Sequence, residues 1–349
     1  GGRKMELEYT YADYAADKAI ELIGIDSPSG YTERAARWVQ ESFEMLGFMA
    51  ERTQKGGVLV TVKGGSEDGL LLEAHVDTLG GMVAEVKSNG RLRITNIGGM
   101  QPNNAEAENV RVYTRSGRAI EGTCQLCNAS VHVNGEYGDA KRSFDTEEIV
   151  LDEDVKSEED TRSLGIEVGD IVCFEPRARI TESGYVKSRF LDDKLSVGIL
   201  LGICKYIRES GREPQRPVYA HITVYEEVGH GGATLPVVDE LLAVDMGCIG
   251  EDLGCTEYQV SICAKDNGGP YDYDMVSRLV KLAKEHQVDY SVDIYPHYGS
   301  DVGAAWHAGM DCRAALIGPG VHASHGMERT HLDALHATLD LAALYLELA

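Results

Sequence analysis

The chain has 349 residues, 43% of them hydrophobic, which is enough to bury a full core in one large domain and a smaller one. Its 57 acidic residues against 33 Lys and Arg give a formal net charge of −24, which argues against nucleic acid and anionic membranes as partners. The N-terminal residues carry no charged-then-apolar signal pattern, and apolar runs such as 197–204 are too short to span a membrane. We therefore expect a cytoplasmic protein.

Eight cysteines without regular spacing indicate free thiols of a reducing compartment rather than a disulfide framework. Cys124 and Cys127 form one close pair. A zinc or redox site would need a second pair of ligands, and His132 alone lies nearby. The favoured interpretation of this pair is structural.

The first elements are two helices and two buried strands. Helical spacing covers residues 9–24, a break follows at 26–30, and Thr32 with Glu33 begins a second amphipathic helix that Gly47 ends. The runs 58–62 and 70–76 predict buried strands.

Beyond Gly80 the pattern changes to short alternating segments with turn signals at 88–90 and 115–117, which predicts a small β domain inserted at 80–180. Within it, the acidic run 145–160 is interpreted as a solvated helix.

Helical spacing resumes at 195–207 and a strand follows at 218–225. Further helices are predicted at 271–285, 301–308 and 331–348, alternating with apolar runs near Ala243, Tyr290 and Ala314. The pattern predicts an α/β catalytic domain formed by residues 1–79 and 181–349.

Acids and histidines recur at the ends of the predicted strands, where α/β enzymes keep their chemistry. His75 and Asp77 lie at i and i+2, so both side chains point to one face of a strand. One can bind a metal while the other orients the imidazole. Asp192 and Asp193 precede a helix; we assign Asp192 as a carboxylate that bridges two cations and Asp193 as the helix cap.

The pair Glu226 and Glu227 closes the run 218–225. Neighbouring strand residues face opposite ways, so one glutamate would enter the core as an unpaired charge unless the pair had a chemical role. A metal site provides that role, with Glu227 as a ligand and Glu226 as the general base.

Two further positions complete the set. Asp245 follows the apolar run 241–244, and His322 and His325 compete as the late imidazole ligand without a pattern that chooses between them. Three carboxylates and one hydroxide would balance two divalent cations, whereas without metal the acids would repel one another. The sequence therefore favours metal-assisted hydrolysis.

The order of these motifs resembles the M42 family of dinuclear metalloaminopeptidases over essentially the whole chain. The segments that carry the resemblance are His75-Val76-Asp77, Asp192-Asp193-Lys194, Glu226-Glu227-Val228-Gly229, Val244-Asp245, Gly299-Ser300-Asp301 and the His325 segment, with Ser27-Pro28-Ser29-Gly30 and 164–170 in support.

The resemblance implies a phosphorylase/hydrolase-like mixed-sheet catalytic domain, a PDZ-like insert used in assembly, and a homo-oligomer such as a dodecamer that takes peptides with a free N-terminus. It also implies two divalent metal ions per chain, Zn or Co with Mn as a further choice. One metal would be held by His75 and Asp245 and the other by Glu227 and His325. Asp192 would bridge the two metals, Glu226 would act as base, and Asp77 would orient His75.

The chain departs from the family pattern at two places. Lys194-Leu195-Ser196 stands where the family has Arg followed by a small residue and Gly, and His325-Gly326-Met327 stands where it has His-Ser-Pro. The metal ligands are retained, but the preferred N-terminal residue is left open.

Three alternatives differ in chemistry. A glycosidase would use Glu226 and Glu227 as its two carboxylates, but it would leave the histidines idle, and strand neighbours diverge to opposite faces. A related dinuclear metallohydrolase would act as a deacylase or carboxypeptidase. A non-catalytic binding protein would not need to retain Glu226 beside the ligands.

Overall fold

The computed structural model describes residues 6–234 and 236–348. Within these ranges the helices are α1 Thr10–Ile23, α2 Glu33–Met45, α3 Pro102–Ala105, α4 Glu158–Ser163, α5 Leu191–Ser210, α6 Tyr273–Glu285, α7 Asp301–His307 and α8 Leu332–Tyr345, with a 3₁₀ turn at Glu226–Val228.

The strands, in chain order, are β1 Met49–Arg52, β2 Val58–Lys63, β3 Leu70–His75, β4 Gly80–Val86, β5 Leu92–Ile97, β6 Asn109–Tyr113, β7 Ala119–Leu126, β8 Glu147–Leu151, β9 Ile171–Phe174, β10 Arg179–Ile180, β11 Tyr185–Ser188, β12 Val218–Thr223, β13 Glu240–Val244, β14 Gly247–Cys248, β15 Val260–Asp266, β16 Gly269–Pro270, β17 Tyr290–Ile294, β18 Arg313–Val321 and β19 Glu328–His331.

The chain forms two compact units. The larger unit comprises the described residues up to Asp77 together with those from Arg177 onward, and the insert comprises Thr78–Pro176. None of the helices in the described ranges combines the length and the apolar character that crossing a bilayer requires.

A mixed sheet of ten described strands forms the centre of the larger unit. Four neighbouring strands, in the order β12-β3-β13-β18, run parallel, while β1, β2 and β15 add antiparallel pairings at the two sides. The predicted mixed-sheet α/β fold is confirmed for this unit. Because the four central strands are parallel, their carboxyl ends meet at one edge of the sheet.

Both faces of the sheet are covered, as the near-continuous apolar composition of its central strands requires. Leu70 and Leu72 of β3 face a large cluster that also contains α1, α2, α5, α6 and α8 residues, whereas Leu71 faces a smaller cluster with Val302 and Ala305 of α7. The alternation along β3 follows from the two-residue period of a strand.

The insert is a closed barrel in the strand order β4-β5-β8-β7-β6-β9. The prediction of a small β unit at this position agrees with the barrel, while its PDZ-like form and its role in assembly stay predictions. The helix predicted for the acidic run 145–160 is wrong in its first half. Residues Glu147–Leu151 form strand β8, with Glu147 and Glu148 buried, and the helix covers only Glu158–Ser163.

Candidate metal centre

The predicted site residues meet at the carboxyl edge of the four parallel strands. β3 ends at His75, β12 at Thr223, β13 at Val244 and β18 at Val321. The residues that follow these ends are Asp77, Glu226, Glu227, Asp245 and His325. Parallel topology therefore collects acids and imidazoles that are far apart in the chain.

His75 is buried at the end of β3 and its two ring nitrogens face different partners. Nδ1 lies 2.9 Å from the backbone carbonyl of Asp77, to which an Nδ1–H donates. Nε2 lies 3.0 Å from Oδ1 of Asp192 and 3.5 Å from Oδ2 of Asp245. A neutral imidazole that donates from Nδ1 leaves the Nε2 lone pair free to bind a metal.

Asp77 contacts the site chiefly through backbone N–H groups in the turn that follows β12, the strand beside β3 in the sheet. Its Oδ1 and Oδ2 accept hydrogen bonds from the N–H groups of Glu226 and Glu227, each at 3.1 Å, and Ser29 donates its hydroxyl to Oδ2. Nδ1 of His75 is 3.4 Å from Oδ1 of Asp77, farther than from the carbonyl. Asp77 thus holds the Glu226-Glu227 turn as well as facing the imidazole.

The strand predicted at 218–225 ends at Thr223, and Glu226 with Glu227 begins a 3₁₀ turn. The argument that the two side chains lie on opposite faces of a strand is therefore wrong. Oε2 of Glu226 lies 3.2 Å from Nε2 of His75, and Oε1 of Glu227 lies 4.0 Å from the same atom. The tight turn brings both carboxylates to one cluster.

Asp192 lies at the centre of the cluster. Its Oδ1 is 3.0 Å from Nε2 of His75 and its Oδ2 is 3.2 Å from Nε2 of His325, so each oxygen faces a different imidazole. Asp193 is fully buried, and its Oδ2 accepts a hydrogen bond from the backbone N–H of His75 at 3.2 Å. Asp193 thereby binds the backbone of β3. The predicted role of Asp193 was different, because a helix cap binds the backbone of its own helix.

The two candidate late histidines differ in position. Nε2 of His325 lies 3.5 Å from Oε2 of Glu227, whereas His322 is exposed and its backbone pairs with Arg329. The chain at His325 has φ of +67°. Glu328 stabilises this segment, because its two carboxylate oxygens accept the backbone N–H groups of Asp192 at 3.0 Å and His325 at 2.9 Å.

Sequence reasoning missed Glu328 and Tyr298. Glu328 has no recognisable signal, since its role is to bind two backbone groups. Tyr298 directly precedes Gly299-Ser300-Asp301, a segment that the family resemblance singled out, and its buried hydroxyl interacts with the carboxyl of Asp245.

Three groups of side chains offer ligand atoms that all lie within 4.8 Å of one another; they are His75 with Asp192 and Asp245, Asp192 with Glu227 and His325, and His75 with Glu226 and Glu227. Asp192 belongs to the first two groups, as a bridging carboxylate would. Oε1 of Glu227 and Oδ1 of Asp245 are buried without a hydrogen-bond partner in the described structure. Imidazoles, carboxylates and unpartnered oxygens suit divalent cations such as zinc.

Burial and mutual repulsion disfavour ionisation of three of the acids. Burial, followed by the charge of Asp192, raises the pKa of Asp245 and of Glu227 well above the usual carboxyl range. Burial also raises the pKa of Glu226 well above that range, with Asp245 adding to the shift and His75 opposing it. Positive charge at this position would relieve the repulsion.

The pKa values of His75 and Asp192 shift in the directions that favour the charged forms of these two groups. Burial alone would lower the pKa of His75, but the charges of Glu226 and Asp245 raise it well above its usual value. Burial alone would raise the pKa of Asp192, but hydrogen bonds from His325 and His75 hold it well below the usual range. The cluster thus compensates part of its negative charge with protons, which cations would replace.

An α/β sheet that carries buried carboxylates and imidazoles at the carboxyl ends of its parallel strands is the arrangement of a metal-assisted hydrolase. The family model described as M42 glutamyl aminopeptidase matches residues 56–341, most of the chain. The chain therefore belongs to the M42 glutamyl aminopeptidase family, and the predicted function of a metal-dependent aminopeptidase is confirmed at this level. The glycosidase and non-catalytic alternatives are set aside.

Curated relatives agree with this membership. The chain is 44% identical over 330 residues to YhfE of Bacillus subtilis (strain 168), covering 94% of this chain and 95% of the relative. It is 29% identical to the lysyl aminopeptidase of Pyrococcus furiosus, covering 62% and 60%. It is 23% identical to the glutamyl aminopeptidase of Lactococcus lactis subsp. cremoris, covering 86% and 87%.

Solved structures share the fold. A TET aminopeptidase from a marine sediment archaeon, Thaumarchaeota archaeon SCGC AB-539-E09, superposes with a TM-score of 0.85 at 18% identity, covering 95% of this chain and 96% of that one. The Pyrococcus horikoshii TET1 peptidase, which can assemble into a tetrahedron or a large octahedral shell, superposes with a TM-score of 0.80 at 21% identity, covering 94% and 98%.

Proposed function

We propose that this chain is a dinuclear metalloaminopeptidase that releases N-terminal residues from peptides. The observation that carries the proposal is the pair of ligand groups that share Asp192, one with His75 and Asp245 and the other with Glu227 and His325. Each group would hold one divalent cation, with zinc or cobalt favoured and manganese as a further choice.

When bound, the two cations would act as Lewis acids that polarise the scissile carbonyl and make the attacking water more acidic. The protein's own residues carry the proton. Glu226 faces the cluster without belonging to the two ligand groups that share Asp192, so its carboxylate is available to water. It would take the proton from the attacking water and deliver it to the leaving amine.

Asp77 would support this proton transfer by holding other residues in place. It accepts the N–H groups of both glutamates, so it fixes where the base and the neighbouring ligand point. The carbonyl of Asp77 does the same for the imidazole of His75. Groups that orient ligands in this way are normally needed for metal affinity and rate.

The insert would serve assembly, and the chain would form a homo-oligomer such as a dodecamer. The support is the family membership and the tetrahedral assembly of the P. horikoshii structure. Sedimentation analysis of the full chain should give about twelve times the chain mass of 38.0 kDa. The proposed cytoplasmic location is supported by the free thiols of all eight cysteines, which suit a reducing compartment.

The direction of attack separates an aminopeptidase from a deacylase or a carboxypeptidase with the same metals. The test is to strip the protein with a chelator, restore Zn²⁺, Co²⁺ or Mn²⁺ separately, and follow a peptide and its N-acetylated form by mass spectrometry. We expect stepwise loss from the free N-terminus only, and only with metal. Equal cleavage of the acetylated peptide, or release from the C-terminus, would contradict the aminopeptidase while leaving a metallohydrolase. Activity unaffected by chelation would contradict both.

A further inference from the structure

A short turn before α2 brings a buried hydroxyl to Asp77. Ser29 is buried, and its hydroxyl donates a hydrogen bond to Oδ2 of Asp77. The same carboxylate oxygen accepts the N–H of Glu227 at 3.1 Å, while Oδ1 accepts the N–H of Glu226 at 3.1 Å. Ser29 therefore binds the carboxylate that holds both the proposed base and one proposed metal ligand.

The sequence of the turn presents Ser29 in this position. The carbonyl of Pro28 accepts the N–H of Tyr31 at 2.8 Å, which closes a four-residue turn with Ser29 at its second position. Gly30, at the third position, has a φ of +91°, a conformation that glycine adopts without steric cost. The turn thus fixes the backbone of Ser29 before any substrate or metal binds.

Two contacts anchor this segment on the elements that carry the metal centre. The hydroxyl of Ser27 donates to the backbone carbonyl of Val76, the residue after β3, at 2.8 Å. Lys194 has a buried side chain, and its Nζ donates to the backbone carbonyl of Ile25 at 2.6 Å. Lys194 lies two residues after Asp192, the proposed bridging ligand. The turn is therefore bound both to the end of β3 and to the segment of the bridging ligand.

The choice of acceptor separates Ser29 from a serine that only stabilises the fold. Ser27, in the same segment, donates to a backbone carbonyl, whose position the main chain already fixes. Ser29 donates to a carboxylate, which can rotate about its side-chain bonds. A hydrogen bond to an ionised acceptor is also stronger than one between neutral groups. Ser29 can therefore set the orientation of Asp77.

We propose that Ser29 is a positioning residue for peptide hydrolysis, acting through Asp77 on the turn at 226–227. The inference rests on the proposed aminopeptidase function. The hydroxyl holds the carboxylate of Asp77 in the orientation in which both N–H groups of that turn reach it. Glu226 is thereby kept directed at the attacking water and Glu227 at its metal. Ser29 itself takes no part in the proton transfer.

The test is Ser29→Ala, which removes the hydroxyl and leaves the backbone of the turn. Thr338→Val is the matched control, because it removes a buried hydroxyl that donates to a carbonyl of its own helix, α8, at 2.7 Å. For the wild type and both variants we would measure kcat and KM on an unblocked peptide at saturating metal. Titration of the chelated protein with Zn²⁺ gives metal affinity, and thermal unfolding of the chelated protein gives stability.

For Ser29→Ala we expect kcat to fall by about 10-fold and the affinity for the more weakly bound Zn²⁺ to fall by a similar factor, as for loss of a group that orients metal ligands. KM should stay within about threefold of the wild type, because the hydroxyl does not bind substrate. The unfolding temperature should fall no further than that of Thr338→Val. Thr338→Val should keep the kcat and metal affinity of the wild type.

A double-mutant cycle tests whether Ser29 acts through Asp77. Asp77→Asn replaces the carboxylate that the hydroxyl binds, so in that background Ser29→Ala should change kcat by less than about threefold. Losses in kcat that multiply would mean that the two residues act independently, and would overturn the inference.

Two further results would refute it. Unchanged kcat and Zn²⁺ affinity in Ser29→Ala, with a lower unfolding temperature, would mean that Ser29 serves the fold alone, and would leave the proposed function intact. A wild type that cleaves no unblocked peptide with Zn²⁺, Co²⁺ or Mn²⁺ would refute the proposed function and this inference together.

Discussion

At the scale of single residues, Asp192 has the position that most directly supports a shared metal site. One of its oxygens faces His75 and the other faces His325, at 3.0 and 3.2 Å. The strand-end pattern alone predicts that the acids and His75 gather at one edge, because parallel topology is regular. It does not choose between His322 and His325. That choice comes from the family resemblance, and the irregular backbone after β18 is what separates the two side chains.

The two histidines provide a matched pair of variants. His325→Ala should reduce bound metal from two ions to about one per chain, because His325 is a ligand for only one of the proposed cations. His322→Ala should leave two ions, since the side chain of His322 is exposed and its backbone pairs with Arg329. Metal content after dialysis, measured by mass spectrometry, checks both. The opposite outcome, with metal lost from His322→Ala alone, would reverse the ligand assignment.

At the scale of elements, apolar runs and helical spacing in the sequence were sufficient to predict most helices and strands of the larger unit. The predicted helix at 9–24 is α1 Thr10–Ile23, and the predicted strand at 70–76 is β3 Leu70–His75. Two predictions failed where tertiary context decides. The 3₁₀ turn at Glu226 depends on the N–H groups that Asp77 accepts, and Asp77 is distant in sequence.

The second failure is the acidic run, where charge suggested a solvated helix. Glu148 can be buried because Lys87 at 2.9 Å and Arg91 at 2.6 Å bind its carboxylate. These partners lie about sixty residues away and give no local signal. Glu147 has no such partner, as its Oε2 is unpartnered in the described structure and Oε1 accepts only from the thiol of Cys124 at 3.6 Å.

Strand β8 therefore supplies a prediction about pH. Burial raises the pKa of Glu147 from 4.5 to about 7, so its contribution to stability is present below pH 4.5 and is lost as pH rises through 7. Glu147→Gln should raise the unfolding temperature relative to wild type at pH 8, by more than at pH 5.

Glu148→Gln is the matched control, because it should change the unfolding temperature at pH 8 in the opposite direction. Burial would raise the pKa of Glu148, but its hydrogen bonds to Arg91 and Lys87 lower it below the usual range. Its removal should therefore lower the unfolding temperature at pH 8. Calorimetry of the two variants at pH 5 and 8 checks the pair, and a Glu147→Gln variant that loses stability at pH 8 would contradict the assignment.

At the scale of the whole molecule, the metal centre should govern how stability depends on pH. Glu226, Glu227 and Asp245 have raised pKa values, so each contributes stability below about pH 4 to 4.5, the range of an unfolded carboxyl, and loses that contribution as pH rises. The pKa of His75 is also raised, so His75 likewise contributes stability at low pH and loses that contribution as pH rises. The pKa of Asp192 is lowered, so its contribution to stability is present at neutral pH and is lost only in strong acid.

We therefore expect the chelated protein to unfold at progressively lower temperature between pH 5 and pH 8. Restored divalent metal should stabilise it most at pH 8, because cations bind the ionised carboxylates and binding to the folded state raises stability. Thermal unfolding with chelator and with Zn²⁺, Co²⁺ or Mn²⁺ at several pH values checks this. A chelated protein that gains stability as pH rises through this window would contradict it.

The net charge of −24 favours substrates with a free ammonium group, but at physiological salt this field is screened within about 8 Å. Recognition must then come from the site itself. Neither the composition nor the fold predicts which N-terminal residue is preferred, because the chain departs from the family pattern at Lys194-Leu195-Ser196 and at His325-Gly326-Met327.

The central claim is that Glu226 moves a proton at a centre whose cations are held by other residues. The most direct measurement is the turnover of Glu226→Gln on an unblocked peptide, with metal ions per chain determined on the same sample. Because the amide cannot take a proton from water, the account predicts two retained ions and a kcat lower by about 10²–10⁴-fold. Near-normal turnover with both ions in place would contradict it.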